Sequence, residues 1–344
     1  TQNTLEPFKI NEFLLLADGR MDHAANGSEK KSIINLNISG DFIMEAGSTI
    51  SAAGVGYAGG YGPGAPIYRT SYYARGGGGY GGTGAGYTLI TGGPGRYEYY
   101  AGLTYGSMKD PVDLGSGGGN PIYGGEYRAA GGGAVLIKVG SRMVMDGLIA
   151  ADGEAPVAGI RSIRGGSGGS INIEAVVLEG DGVIKANGSK SDSDDRVGGG
   201  GRIAVKVWNA DTSNLSVSAY SGGGNPYYGS YGGAGTIYRE KPGGITKLTI
   251  SQPLQMSGES AGYTLASSSN MGSSSINLSD MALNNSRVRF DGIEKFRIDG
   301  QALFTGVNFI EDSKGEGGFG GGVLLPAYNK IEIATMTLPA SANL

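Results

Sequence analysis

The chain has 344 residues, 68 of them glycine, about a fifth of the sequence against roughly 7% in an ordinary soluble protein. Hydrophobic residues at 39%, 20 tyrosines, 17% charged residues and a net charge of −4 exclude an apolar-poor, highly charged disordered chain, and glycines without a strict every-third-residue period exclude collagen. The lack of cysteine excludes a disulfide framework and thiolate chemistry, and 27 basic against 31 acidic residues, with no block of like charge, offer nothing to a nucleic-acid backbone.

The opening segment, Phe8 to Leu16, is expected as part of an N-terminal cap over residues 1–31, with His23 beside Asp22 on a surface loop. Its apolar run Phe13 to Ala17 is the longest in the chain and far short of the roughly 20 residues that span a bilayer, so no membrane span is expected. A start at Thr1 without a basic, apolar leader is what a processed mature protein or an excised fragment would show.

From Ile34 onward, short period-two alternations read as half-buried strands: Ile34-Asn-Leu36-Asn-Ile38, Val135-Leu-Ile137-Lys-Val139, Ile171-Asn-Ile173 and Ile203-Ala-Val205-Lys-Val207. Each precedes a copy of I-x-A-x-G: Ile50-Ser-Ala52-Ala-Gly54, Ile149-Ala-Ala151-Asp-Gly153, Ile184-Lys-Ala186-Asn-Gly188, and a looser Val217-Ser-Ala219-Tyr-Ser-Gly222. Intervals of 35 positions from Ile149 to Ile184 and 33 from Ile184 to Val217 are those of a repeat whose units must stack on one another to bury their apolar faces. The predicted fold is all-β, a right-handed parallel β-helix over residues 32–241. Ile50, Ile149, Ile184 and Val217 form one inward column, Ala allows close stacking, and the motif glycine turns the corner with a positive φ.

Between the first two copies lies a Gly/Tyr insertion, about 54–133, with 13 of the 20 tyrosines. A shorter outgrowth with Tyr227, Tyr228 and Tyr231 follows Ser221-Gly-Gly-Gly-Asn225-Pro226, which echoes Ser116-Gly-Gly-Gly-Asn120-Pro121 and predicts that both leave the same side. The longest pure glycine runs, Gly76–Gly79 and Gly198–Gly201, hold four residues each, which predicts β-coils rather than a polyglycine II sandwich. From Pro242 glycine thins out, and alternations such as Leu248/Ile250, Val288/Phe290 and Phe296/Ile298 predict wider coils or a cap over residues 242–344.

Tyr supplies large, rigid contact area with a polar tip. Tyr57, Tyr61, Tyr72, Tyr73, Tyr80, Tyr97, Tyr99, Tyr100, Tyr105, Tyr227, Tyr228 and Tyr231 are therefore the candidate binding or assembly residues. Asp192, Asp194 and Asp195 bring three carboxylates to one turn, but without a calcium-loop pattern they read as a solvated loop, and no cofactor or metal is expected. Trp208 at a strand end reads as cover for a core edge. Glu174, Glu179, Asp181 and Asp152 fall at different phases of the repeat, which disfavours the clustered carboxylates of a polysaccharide-cleaving enzyme and leaves catalytic residues as none.

The runs Gly131-Gly-Gly-Ala-Val-Leu-Ile137, Gly165-Gly-Ser-Gly-Gly-Ser-Ile171, Gly199-Gly-Gly-Arg202-Ile-Ala204 and Gly233-Ala-Gly-Thr-Ile-Tyr238, with Tyr105-Gly-Ser and Pro111-Val-Asp113-Leu-Gly-Ser-Gly-Gly-Gly119, carry a family likeness. Over roughly 40–250 the chain resembles glycine-rich β-helical segments of large secreted bacterial surface proteins. That resemblance implies a right-handed parallel β-helix on the cell exterior with adhesive or structural work and no catalytic residues. The chain departs from the family in being short, and Leu338-Pro-Ala-Ser-Ala lacks the threonine and apolar tail of a sortase signal. The expected function is a non-catalytic, extracellular or cell-surface filament or surface-layer subunit that assembles with copies of itself. The alternatives are an adhesin or phage-tail-type receptor-binding protein for glycan or protein, and a β-helical lyase or hydrolase.

Overall fold

A computed structural model of the protein describes residues 1–66, 76–86, 101–119, 129–154, 164–190, 196–225, 230–253, 262–306, 308–312 and 330–337. These residues are built from strands, with one four-residue helix, Ser268–Met271, closed by a capping box between Ser267 and Asn270. Pairing is mostly parallel. The chain repeatedly contributes one strand to a large sheet, one three-residue strand to a second sheet, and a glycine-rich stretch that leads back.

The large sheet takes Ile34–Ile38, Ala134–Met145, Ser170–Glu179, Arg202–Asp211 and Thr236–Lys241 in parallel order, and the second takes Thr49–Ser51, Leu148–Ala150, Val183–Lys185 and Ser216–Ser218. The period-two pattern sets the register, because a one-residue slip would turn every apolar side chain outward. Ile34, Val135, Ile171, Ile203 and Ile237 align in one column. Ile50, Ile149, Ile184 and Val217 align in another, as the shared motif predicts, and the first three are fully buried. On the outward side Lys138, Glu174, Lys206 and Glu240 fall in register, a ladder of alternating charge with Glu174 3.5 Å from both lysines.

Residues 1–31 supply a tier at the end of this stack. Phe8–Ile10, Phe13–Leu15 and Arg20–Asp22 pair in parallel with Leu36–Ile38, Phe42–Met44 and Thr49–Ser51. At the other end Pro242-Gly-Gly244, with φ of +82° and +74° at its glycines, reverses the chain, so Thr236–Lys241 and Ile245–Ser251 pair antiparallel. Ile245–Ser251, Asp280–Asn284, Lys295–Thr305 and Lys330–Thr337 then continue the same sheet in parallel, opposite to the first stack, while Thr264–Ser267, Arg287–Asp291 and Phe309–Asp312 form a separate parallel sheet; the core between them holds larger side chains such as Met281, Phe290, Phe296 and Phe304.

The glycine stretches form a layer of their own, in which backbone bonds to backbone. Gly131, Gly132 and Gly133 donate to the carbonyls of Tyr57, Ser167 and Ala52; Ser167, Gly168 and Gly169 to those of Ser116, Gly199 and Ala151; and Gly199, Gly200 and Gly201 to those of Gly78, Gly233 and Ala186. In each triplet the first amide points out to the insertion, the second to the next tier and the third inward. A three-residue repeat is the periodicity of the polyproline II helix, whose amides are free to bond sideways. The chain thus combines the expected paired β tiers with glycine threads whose amides alternate in direction over three residues. Four-residue runs suffice because neighbouring tiers extend the array laterally.

Space, more than conformational freedom, accounts for the glycines. A Cβ on Gly132, Gly168 or Gly200 would overlap the carbonyl oxygen of Ala151, Ala186 or Ala219. Of the I-x-A-x-G glycines, Gly54 alone has a positive φ, +67°, whereas Gly153 and Gly188 are required because a Cβ would run into the carbonyls of Gly166 and Gly198. The expected corner glycine is corrected on this point. Gly168→Ala should therefore destabilise the protein by about 2–3 kcal/mol through overpacking, while Gly27→Ala, with nothing within 4 Å of its Cβ, should stay within about 0.5 kcal/mol. Equal urea midpoints for the two variants would contradict the packing account.

Candidate recognition surface

The insertion does not stand away from the tiers as a free outgrowth. Its described segments fold back over the glycine layer: Gly78 donates to Gly165, Gly81 to Gly200 and Gly118 to Ala129, all through the backbone. Side chains then lock it down at the start of the large sheet, where Ala134, Ser170, Arg202 and Thr236 lie in register. Tyr80, fully buried, packs at 4.7 Å from the ring of Tyr105 and shares a 2.6 Å hydrogen bond with Ser170 Oγ, which itself donates to the Asp113 carbonyl. The Tyr105 hydroxyl donates to the Leu114 carbonyl and lies 2.8 Å from Ser116 Oγ.

Arg202 closes this cluster. Its guanidinium, fully buried, donates from Nε to the Tyr105 carbonyl at 2.9 Å and from Nη1 to Thr236 Oγ1 at 3.2 Å, with its centre 5.5 Å from the Tyr80 ring. Loss of solvent pulls its pKa down to about 10, opposed by the neighbouring tyrosines and Asp113. The same burial holds the hydroxyls of Tyr80 and Tyr105 well above the ordinary tyrosine range. On the sheet's outer face Lys206 pairs with Asp110 of the insertion as well as with Glu174. Met108 and Leu114, both fully buried, complete the seam.

The candidate tyrosines therefore divide. Tyr80 and Tyr231 are buried in the folded chain, and the Tyr80 ring packs in the seam that docks the insertion. Tyr57 and Tyr105 are partly buried, and Tyr61 is 50% exposed. Tyr72, Tyr73, Tyr97, Tyr99, Tyr100, Tyr227 and Tyr228 lie outside the described residues, as do Asp192, Asp194 and Asp195. The residues missed by sequence reasoning, Ser170, Arg202 and Thr236, had a readable signal: each is a polar residue directly after a glycine, at or next to the start of its strand.

Two further expectations are corrected. His23 is 3% exposed, its Nδ1 donating to the Ala24 carbonyl at 2.8 Å and its Nε2 lying against Gly133, because the Gln2–His23 bridge draws it under the first tier. Trp208 is 52% exposed, since two residues, Trp208 and Asn209, oppose the single Val176 and the resulting bulge turns the indole outward. Among the described residues the acids are paired rather than gathered: Glu174 with Lys138 and Lys206, Glu179 with Arg142, Asp152 with Lys185, and no three His, Asp or Glu form a metal cluster. A groove of about 380 Å³ between Thr104–Ser107 and Ser267–Asn270 is lined by hydroxyls, but Ser267 and Asn270 are already bonded to one another.

One geometric fact stands out. The described residues that flank the seven internal segments 67–75, 87–100, 120–128, 155–163, 191–195, 226–229 and 254–261 are bonded to one another through the end of the glycine layer. Gly119 donates to Gly76, Ala129 to Arg164, Gly165 to Arg196, Ala85 to Val197, Ser189 to Gly166, Gly222 to Gly198 and Gly262 to Tyr231. These bonds tie the described residues beside the segments into the backbone-bonded layer. No family model, curated protein or solved structure matches the chain.

The seam predicts a separation of effects. Tyr80→Ala should cost about 3–5 kcal/mol by opening a cavity and should expose the insertion to limited proteolysis, whereas Tyr80→Phe should cost about 1 kcal/mol for one hydrogen bond. Equal sensitivity of the two variants would show that the ring does not dock the insertion. Burial also lowers the pKa of His23 from its ordinary 6.5, with the Ala24 carbonyl and Asp22 opposing the shift. The stability contributed by neutral His23 is complete above about pH 6.5 and is lost as pH falls from there toward the lower folded value, because the unfolded chain takes the proton first. His23→Gln should flatten that part of the stability profile, read as urea midpoints between neutral and mildly acidic pH.

Proposed function

We propose that the chain is a non-catalytic extracellular recognition protein of adhesin type, a right-handed parallel β-helix whose glycine layer presents Tyr-rich segments to a glycan or protein surface. The observation that carries this reading is the backbone bonding of described residues beside these segments to one another across the glycine layer. Those segments contain 11 of the 20 tyrosines, whereas the threads Gly131–Gly133, Gly165–Gly169, Gly198–Gly201 and Gly232–Gly235 contain none.

 

Tyr offers wide contact at low entropic cost, and a platform held by backbone bonds lowers the ordering cost of binding further. The filament reading rests on a Gly/Tyr-rich surface that meets its like on another copy. Here the thread amides already bond to carbonyls of the same chain, which favours recognition by the segments over assembly through the glycines. The ion-paired state of Glu174, Glu179 and Asp152 supports a reading without hydrolytic chemistry. The resemblance to secreted surface proteins supports the extracellular location.

The test is the triple change Tyr97→Ser, Tyr99→Ser and Tyr100→Ser. Binding to a glycan array or to intact cells should be lost, while the circular dichroism and the thermal midpoint stay close to those of the parent. Binding that survives the triple change, or a fold that collapses with it, would make the segment a packing element and end the recognition reading.

A further inference from the structure

Among the described residues the first tier lies at one end of the stack, with its core side open. Phe8 occupies the inward position that Leu36 fills one tier later, yet Phe8 is 60% exposed and Leu36 1%. Leu14 and Leu16 are 59% and 55% exposed, so with Leu5 this tier holds four of the ten large hydrophobics exposed among the described residues. Among the described residues its strands Phe8–Ile10, Phe13–Leu15 and Arg20–Asp22 each have a neighbour on one side only. A row of unpaired amides and carbonyls beside an uncovered core is a template for another β edge.

We propose that this end is an isologous interface with a second copy of the chain, in which Phe8–Ile10 of each copy runs antiparallel to Phe13–Leu15 of the other. The tier's inward residues are Phe8, Ile10, Phe13 and Leu15, as their alignment with the buried Leu36, Ile38, Phe42 and Met44 shows. This pattern is symmetric about the Asn11-Glu12 bend. A two-fold related copy therefore sets Phe8 against Leu15 and Ile10 against Phe13, inward position to inward position, and keeps the pleat in phase across the junction. The chain already joins two stacks by an antiparallel seam, at Thr236–Lys241 and Ile245–Ser251. The self-complementary pattern selects a second copy as occupant, since a foreign edge makes no use of it.

In this pairing Lys9 of one copy faces Leu14 of the other, which gives a test of register as well as of contact. Sedimentation of the intact chain over a wide concentration range should show a dimer. Phe8→Glu should yield monomer with unchanged circular dichroism, since the side chain is exposed in the single chain. Leu14→Glu, facing Lys9, should leave the dimer in place, Leu14→Lys should shift it to monomer, and Leu103→Glu on the insertion should have no effect. A monomeric parent, an open-ended polymer, a dimer that persists in Phe8→Glu, or identical behaviour of the two Leu14 variants would each overturn the proposal.

Discussion

The structure depends on the absence of Cβ atoms along its threads. Where Gly132, Gly168 and Gly200 pass the alanines of the neighbouring motif, a carbonyl oxygen occupies the place a side chain would take. Close approach lets each amide find a carbonyl on an adjacent thread, in three directions by turns, so that a layer without regular sheet pairing still satisfies its backbone. The high glycine content follows from this packing rather than from a need for flexibility. Once two layers of chain can lie this close, the insertion becomes part of the body instead of an appendage.

The two faces of each tier are held by different physics. On the sheet side, columns of Ile, Val and Leu exclude water and the outward Lys and Glu ladder favours one register over its neighbours. On the glycine side cohesion comes from hydrogen bonds between extended threads, with little apolar surface. Arg202 joins the two. It begins a strand of the large sheet, reaches the insertion through the Tyr105 carbonyl, and lies against Tyr80, so a cation excluded from water ties the apolar half to the backbone half.

The strands and their columns were legible because period-two alternation and a repeated motif report phase directly, as Ile50, Ile149 and Ile184 do. The glycine layer was not legible, because which thread lies beside which is a tertiary fact, and Gly54 and Gly153 look alike in a motif although one is held by φ and the other by space. Tyr80 and Tyr61 look equally free in a Gly/Tyr stretch, yet one is sealed and the other open. His23 went astray for the same reason, since its bridge to Gln2 depends on a pairing 21 residues apart. The reversal at Lys241-Pro-Gly-Gly-Ile245 carried a signal in its paired glycines that periodicity alone passed over.

The three-residue phase of the threads constrains how their length can change. Removing one residue between Gly131 and Gly133 would rotate every later amide by a third of a turn, sending the outward donor inward and the inward donor toward the next tier. Removing three restores each direction and shortens the thread by one step. Length variation within the threads is thus admitted in threes, and sequences sharing this architecture would differ there by whole turns.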